Sequence, residues 1–137
     1  MADAARPARG LLDTSVVIDL EQVGEDSLPV EVAISAVTMA ELAAGPHAAT
    51  DPDERSRRQD RLQRAEAVFD PLPFTTEAAR AYGRVFAAIA AAGRKPRGAR
   101  AVDLLIAATA LAEGLPLYTR NPDDFGNLDG LIRVVSV

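Results

Sequence analysis

The chain has 137 residues, of which 48% are hydrophobic and 26% charged, with no cysteine and a formal net charge of -5 at pH 7. This length and composition predict one globular domain and exclude wholesale disorder, a disulfide scaffold and any thiolate metal site or thiol nucleophile. The negative net charge argues against bulk attraction to nucleic acid, but it does not exclude a local basic patch.

The amino-terminal segment has no targeting or membrane signature. Residues 1–9 are expected to be flexible, and no apolar segment of signal-peptide length follows them. No apolar run approaches the roughly 18 residues needed to cross a bilayer. We therefore expect a soluble cytoplasmic protein with a single domain over residues 1–137.

The hydrophobic pattern predicts alternating strands and helices along the chain. In chain order these are a strand at 10–13, a helix at 15–22, a strand at 30–37, a helix from 38 to 45, a linker at 47–52, an arginine-rich helix ending near 69, a loop or edge strand at 71–73, helices at 75–92 and 99–113, a strand at 115–118, a polar loop at 119–125 and a strand at 131–137. The apolar, β-branched run at 30–37 predicts a strand buried on both faces. The alternation predicts a three-layer α/β domain with a mainly parallel sheet.

Four acidic positions lie where a carboxylate needs an explanation. Asp13, Glu41 and the pair Asp123 and Asp124 follow predicted strands, and Asp103 lies inside an apolar helix. Parallel strands bring their carboxyl ends to one edge, where such sheets bind ligands. An acid removed from water needs a donor, a cation or a raised pKa. The pattern therefore predicts a carboxylate site for a divalent metal.

Each acid also has a structural explanation that stays open at this point. Asp13 could cap the first helix, and Thr38 with Glu41 has the spacing of a capping box. The pair at 123–124 follows an Asn-Pro turn, where aspartates are common. Asp103 is the hardest to explain in this way, because between 101 and 112 the only other polar side chain is Thr109. It could cap a helix only if that helix began near residue 103.

Four segments, LLDTSVVIDL, SAVTMAEL, DLLIAATAL and LYTRNPDDF, follow one another between Leu11 and Phe125. Together they resemble the successive signatures of the PIN domain, and the short chain resembles VapC-type toxins of bacterial type II toxin-antitoxin modules. The resemblance implies a three-layer α/β/α PIN-like fold and a Mg2+- or Mn2+-dependent endoribonuclease that hydrolyses RNA with a metal-activated water. It also implies a homodimer and a VapB-type antitoxin partner that blocks the acidic pocket.

The resemblance also assigns roles to individual residues. Asp13, Glu41 and Asp103 match the first three family acids and are expected to be catalytic and metal-binding. The fourth role falls among Asn121, Asp123 and Asp124, with Asp124 favoured. The pocket hydroxyls are expected to be Thr14, Ser15 and Thr119, and the candidates for gripping the RNA backbone are Arg94, Lys95, Arg97, Arg100 and Arg120.

Two other classes of protein are compatible with acids at strand ends. One is a catalytically weak PIN-fold interaction module that an antitoxin still binds. The other is an aspartyl-phosphate protein, which needs a lysine near the phosphate, whereas the single lysine, Lys95, precedes a helix in a basic loop. The single histidine, His47, lies in the predicted linker, so histidine-based acid-base catalysis has little support.

Overall fold

A four-stranded parallel sheet forms the centre of the part of the chain that the structure describes. The structure is a computed structural model and describes residues 6–95 and 98–137. The strands are β1 (Arg9–Leu12), β2 (Glu31–Ile34), β3 (Leu117–Thr119) and β4 (Val134–Ser136), in the order β2-β1-β3-β4. All of these pairings are parallel. The carboxyl ends of the strands therefore meet at one edge of the sheet, as the sequence predicted.

Helices cover both faces of this sheet and complete the predicted three-layer α/β/α arrangement. They are α1 (Thr14–Ile18), α2 (Ala36–Ala48), α3 (Pro52–Val68), α4 (Thr76–Ala91) and α5 (Ala99–Glu113). Leu11 packs into a core with α4 and α5, whereas the next residue, Leu12, packs into a second core with α1, α2 and α3. This division follows from the alternation of side chains along a strand.

The prediction that residues 30–37 form a strand buried on both faces is wrong. Strand β2 spans only Glu31–Ile34 and lies at one edge of the sheet. Val30 is 67% exposed and Val32 is 36% exposed, so the apolar run is covered only towards its end. The strand stops because the next residue, Ser35, begins a helix.

Helix α2 starts earlier and ends later than the sequence predicted. The Ser35 hydroxyl accepts a hydrogen bond from the Thr38 amide at 3.0 Å and caps the helix, which then continues through Pro46 to Ala48. The carbonyls near its end are satisfied by α3, since Arg58 donates to Gly45 at 2.9 Å and Arg55 to Pro46 at 3.2 Å. These donors stabilise a helix end that Gly and Pro would otherwise terminate.

The remaining elements follow the prediction more closely. Helix α5 has the predicted limits and ends at Gly114, whose φ of 67° suits a residue without a Cβ. The predicted helix at 15–22 is divided into α1 and a 3-10 turn at Leu20–Gln22, and the polar loop contains a 3-10 turn at Pro122–Phe125. Among the described helices, none has both the length and the apolar composition that crossing a bilayer requires.

The beginning of the described chain is tied to the loop before β2. The carbonyls of Pro7 and Ala8 accept hydrogen bonds from the amides of Val30 and Glu31 at 3.1 and 2.9 Å. Residues 1–5 of the segment expected to be flexible lie outside the described residues, as does Arg97 of the basic loop.

Candidate functional site

The acids singled out in the sequence converge at the carboxyl edge of the sheet. Asp13 directly follows β1, Glu41 lies in α2 and Asp103 lies in the second turn of α5. Asp124 lies in the 3-10 turn that follows β3. The strands that precede three of these acids are neighbours in the sheet, so residues distant in sequence reach one place.

Asp13 is buried, with only 4% of its surface exposed, and both of its carboxylate oxygens accept hydrogen bonds. One oxygen accepts from the Ser15 hydroxyl at 2.6 Å and from the Val16 amide at 3.2 Å. The other accepts from the Thr119 hydroxyl at 2.6 Å, across 106 residues of sequence. Asp13 therefore caps α1, as one interpretation of the sequence proposed, and is also fixed in orientation by two hydroxyl groups.

The two hydroxyl groups that bond Asp13 are themselves held by the backbone after β3. The Arg120 amide donates to the Ser15 hydroxyl oxygen at 3.0 Å, and the Asn121 amide donates to the Thr119 hydroxyl oxygen at 2.9 Å. Because each hydroxyl accepts from an amide, its single proton is directed to Asp13. Asp13 is therefore held within a hydrogen-bond network that joins the segments following β1 and β3.

Glu41 is exposed and bonds a hydroxyl group of the first helix. The Thr14 hydroxyl donates to Glu41 Oε1 at 2.5 Å and lies 3.1 Å from the hydroxyl of Thr38, which is buried. The capping-box explanation of Glu41 is wrong, because Ser35 caps α2 and Glu41 lies one turn beyond the position that closes a capping box. The sequence did not indicate the contribution of Thr38, whose hydroxyl reaches Thr14 only in the folded chain.

The surroundings of Asp103 perturb its acidity. Burial, followed by the charges of Asp124, Glu41 and Asp13, raises its pKa from 3.8 to about 7, and only Arg100 opposes this rise. Helix α5 begins at Ala99 after Gly98, so Asp103 does not cap it. The acid is thus partly buried among other acids and has no structural role in starting its helix.

Three residues after β3 are candidates for the fourth acidic position. Asn121, Asp123 and Asp124 are all exposed in the segment after β3. Of the two aspartates in that segment, Asp124 is the one whose charge raises the pKa of Asp103. The charge of Asp124 is therefore close enough to act on Asp103.

The basic candidates differ in whether their side chains already contact polar groups of the protein. Arg94 donates to Asn127 at 3.3 Å, and the Arg120 guanidinium lies 3.7 Å from Asp19. Lys95 is exposed, and Arg97 lies outside the described residues. Arg100 is partly buried, and within the described part of the chain its buried Nη1 has no hydrogen-bond partner.

The donor set suits a hard divalent cation held partly through water. Within residues 6–95 and 98–137, no three histidine or carboxylate side chains are arranged to hold an ion directly. The charges of Asp124, Glu41 and Asp13 nevertheless raise the pKa of Asp103, and a cation between these acids would relieve that repulsion. Mg2+ keeps several waters and commonly binds through one or two carboxylates, so the residues present fit this ion.

The match to a family model defines the class to which this fold and site belong. The model described as the PIN domain matches residues 10–131, which include all four acids. The match begins at the first residues of β1 and ends shortly before β4.

Individual relatives narrow the class further. The chain is 41% identical over 131 residues to ribonuclease VapC5 of Mycobacterium tuberculosis, covering 93% of each chain, and 30% identical over 127 residues to ribonuclease VapC of Rickettsia bellii, covering 88% of this chain and 91% of that relative. It superimposes on the VapBC-5 toxin-antitoxin structure from M. tuberculosis with a TM-score of 0.84 and 40% identity, covering 96% of this chain and 100% of that one. FitAcB from Neisseria gonorrhoeae gives a TM-score of 0.70 at 28% identity, covering 92% and 96%. The chain belongs to the VapC family of PIN-domain proteins.

Proposed function

We propose that this protein is a Mg2+-dependent endoribonuclease and the toxic component of a type II toxin-antitoxin module. The observation that carries the proposal is Asp103, a partly buried acid whose pKa is raised to about 7 by burial and by three other acids. An acid perturbed in this way is a feature of functional sites, because it opposes stability unless a cation or a proton is bound. The names of the relatives support the reaction class, since VapC5 and the Rickettsia relative are called ribonucleases.

The four acids and the hydroxyl groups have different roles in the proposed reaction. Asp13 and Asp103 would hold the metal, Asp124 would bind it through water or hold a second ion, and Glu41 would act as a ligand or as general base. A bound Mg2+, or Mn2+ in its place, would lower the pKa of a coordinated water and offset charge on the leaving oxygen. Ser15 and Thr119 keep Asp13 in one orientation, and Thr14 does the same for Glu41.

The proposed reaction is hydrolysis of an RNA phosphodiester bond. The oxygen of a water molecule forms a bond to phosphorus, and the bond from phosphorus to the 3' oxygen breaks. The attacking water loses a proton towards Glu41 or solvent, and the 3' oxygen takes one up. The products would carry 5'-phosphate and 3'-hydroxyl ends. Arg94, Lys95, Arg97 and Arg120 are proposed to contact the RNA backbone beside the site.

A VapB-type antitoxin is the proposed partner, with a homodimer as the proposed assembly. The solved relatives include VapBC-5, which is described as a member of the VapBC family of toxin-antitoxin systems. An antitoxin segment carrying a cation would match the acids at the carboxyl edge, because it would relieve the same repulsion as a metal ion. Neutralisation would then be direct competition for the site.

The test compares wild type, Asp103→Asn and the control Asp129→Asn, which removes the same charge from an exposed position near the start of β4. Each purified protein is incubated with total RNA in Mg2+ and in EDTA. In a separate experiment, expression of each protein is induced in cells and their growth is measured. We expect wild type and the control to cleave RNA and arrest growth, and Asp103→Asn and every EDTA sample to be inactive. A folded Asp103→Asn protein with full activity would contradict the assignment of the site. A wild type that binds antitoxin without cleaving RNA would instead favour the catalytically weak interaction module.

A further inference from the structure

Arg100 lies at the start of a helix, where the helix dipole opposes its charge. It is the second residue of α5, in a first turn that contains no acidic side chain. A cation in this turn faces the positive end of the helix dipole, which is electrostatically unfavourable. Its Nη1 is also buried without a hydrogen-bond partner among the described residues, although an unsatisfied buried donor destabilises a protein and a charged one does so more.

The position of Arg100 relative to Asp103 indicates what this side chain faces. The two residues are three apart on α5 and therefore project from the same side of the helix. The charge of Arg100 acts on Asp103, so the guanidinium lies near the acids at the carboxyl edge of the sheet. Among the described residues, however, no acidic side chain lies within 4.0 Å of it as an ion-pair partner. The cation is close to the acids without being bound to one.

Other arginines near the site have acceptors within the protein. Arg94 donates to Asn127, Arg120 lies beside Asp19, and Arg58 bonds both Glu54 and Gly45. These side chains are tied to neighbouring elements. Nη1 of Arg100 has no such acceptor among the described residues, and the side chain as a whole is partly exposed, so the guanidinium can meet an acceptor that enters the site from outside.

We infer that Arg100 is the protein's own ligand for the phosphate to be cleaved, binding a non-bridging oxygen beside the acids. This inference rests on the proposed function, and it separates Arg100 from the basic residues that contact flanking RNA. A phosphodiester is an anion and would be repelled by four carboxylates unless cations face it. Arginine suits this task because its planar group keeps its proton and binds phosphate oxygens in a fixed geometry.

In the reaction, the contact to Arg100 strengthens as charge grows on the non-bridging oxygens. The guanidinium donates hydrogen bonds and transfers no proton, so the water, phosphorus and 3' oxygen exchange bonds as described above. Because the donor is already in place before substrate binds, little reorganisation is needed at the moment of reaction. Loss of Arg100 should therefore lower kcat more than it raises KM.

The experiment uses Arg100→Met, which keeps an apolar stem, Arg100→Lys, which keeps a charge, and Arg100→Ala, which leaves space. The control Arg84→Met removes a charge from the exposed surface of α4. Cleavage of a labelled oligoribonucleotide that wild type cuts is measured in Mg2+. We expect Arg100→Met to lower kcat roughly 100-fold with a much smaller change in KM, because one hydrogen-bond donor to the transition-state anion is lost. The kcat of Arg100→Lys should lie between those of wild type and Arg100→Met, and the kcat of the control should be unchanged.

Two further readouts separate a phosphate ligand from a structural residue. Free guanidinium ion at millimolar concentration should restore activity to Arg100→Ala but not to Asp103→Asn. The Tm of Arg100→Met should equal or exceed that of wild type, because the substitution removes an unsatisfied donor. Full activity of a folded Arg100→Met protein, or loss of activity with a lowered Tm and no rescue, would overturn the inference. A wild type that cleaves no RNA would overturn the proposed function, and the role of Arg100 with it.

Discussion

Replacing Asp103 by asparagine should change the stability of the protein in a way that depends on pH. The folded chain raises the pKa of this acid from 3.8 to about 7, first through burial and then through the charges of Asp124, Glu41 and Asp13. Between these two values the folded state binds a proton that the unfolded state releases. The contribution of Asp103 to stability is therefore fully present below the lower value and is lost as the pH rises to the upper one. Asparagine resembles the neutral acid at every pH and escapes this loss.

The size of the effect follows from the difference between the two pKa values. At about 1.4 kcal/mol for each pKa unit, a rise from 3.8 to about 7 corresponds to a ceiling of about 4 kcal/mol. Asp103 is only partly buried, and solvent screens its interactions with the exposed acids. Reducing the ceiling by half for this screening gives an expected gain of about 2 kcal/mol for Asp103→Asn above the upper pKa.

The assay is urea denaturation of wild type and Asp103→Asn in EDTA, at a series of pH values between about 4 and 8. The two free energies of unfolding should agree near pH 4, and asparagine should gain steadily until about pH 7. Adding Mg2+ at pH 8 to a hundred times the Kd should reverse the order, because only wild type gains binding free energy, about 2.7 kcal/mol, which exceeds the advantage of Asp103→Asn. A difference between the proteins that does not change with pH would refute the raised pKa of Asp103.

Four other substitutions test the site, a helix cap and the sheet, each by a denaturation midpoint and, for the acids, an RNA cleavage assay. Asp13→Asn should lower stability by about 1–3 kcal/mol and abolish cleavage, because the NH2 group of the new side chain would face the donors that bond the Asp13 carboxylate in wild type. Unchanged stability would contradict the hydrogen-bond network around Asp13. Glu41→Ala should abolish cleavage and change the free energy of unfolding by no more than about 0.5 kcal/mol. Ser35→Ala should lower that free energy by about 1 kcal/mol, because Ser35 and not Glu41 caps α2. A loss of stability for Glu41→Ala larger than that for Ser35→Ala would restore the capping explanation of Glu41. Gly10→Ala should destabilise by about 1–3 kcal/mol, since its Cβ would lie 2.5 Å from the Tyr118 ring, and a neutral result would contradict that packing.

Local signals in the sequence were sufficient for the later helices. Helix α5 combines a long apolar segment with Gly114 at its end, and α4 begins directly after Thr75, whose hydroxyl caps it. Capping and termination depend on residues close in sequence, so these limits can be read directly from it. The alternation of elements likewise predicted a parallel sheet, because parallel strands need helical crossovers.

The predictions that failed depended on contacts between distant residues. The end of α2 extends past Gly45 and Pro46 because arginines of α3 bond its last carbonyls. The burial of β2 depends on its place in the sheet order, and an apolar run does not reveal whether its strand is central or at an edge. Periodicity describes one segment at a time and carries no information about which segment lies beside it.

The sequence by itself determined which acids deserved attention. Asp103 stands in an apolar helix, and Asp13 and Glu41 follow strands, all within segments that resemble the PIN domain. Only the tertiary structure decided how these groups behave. It joined Asp13 to Thr119 across 106 residues, bonded Glu41 to Thr14, and set Asp124 and Arg100 near Asp103 with opposite effects on its pKa. The physical reason is that electrostatic and hydrogen-bond energies depend on distance in space, and the parallel sheet brings these distant segments to one edge.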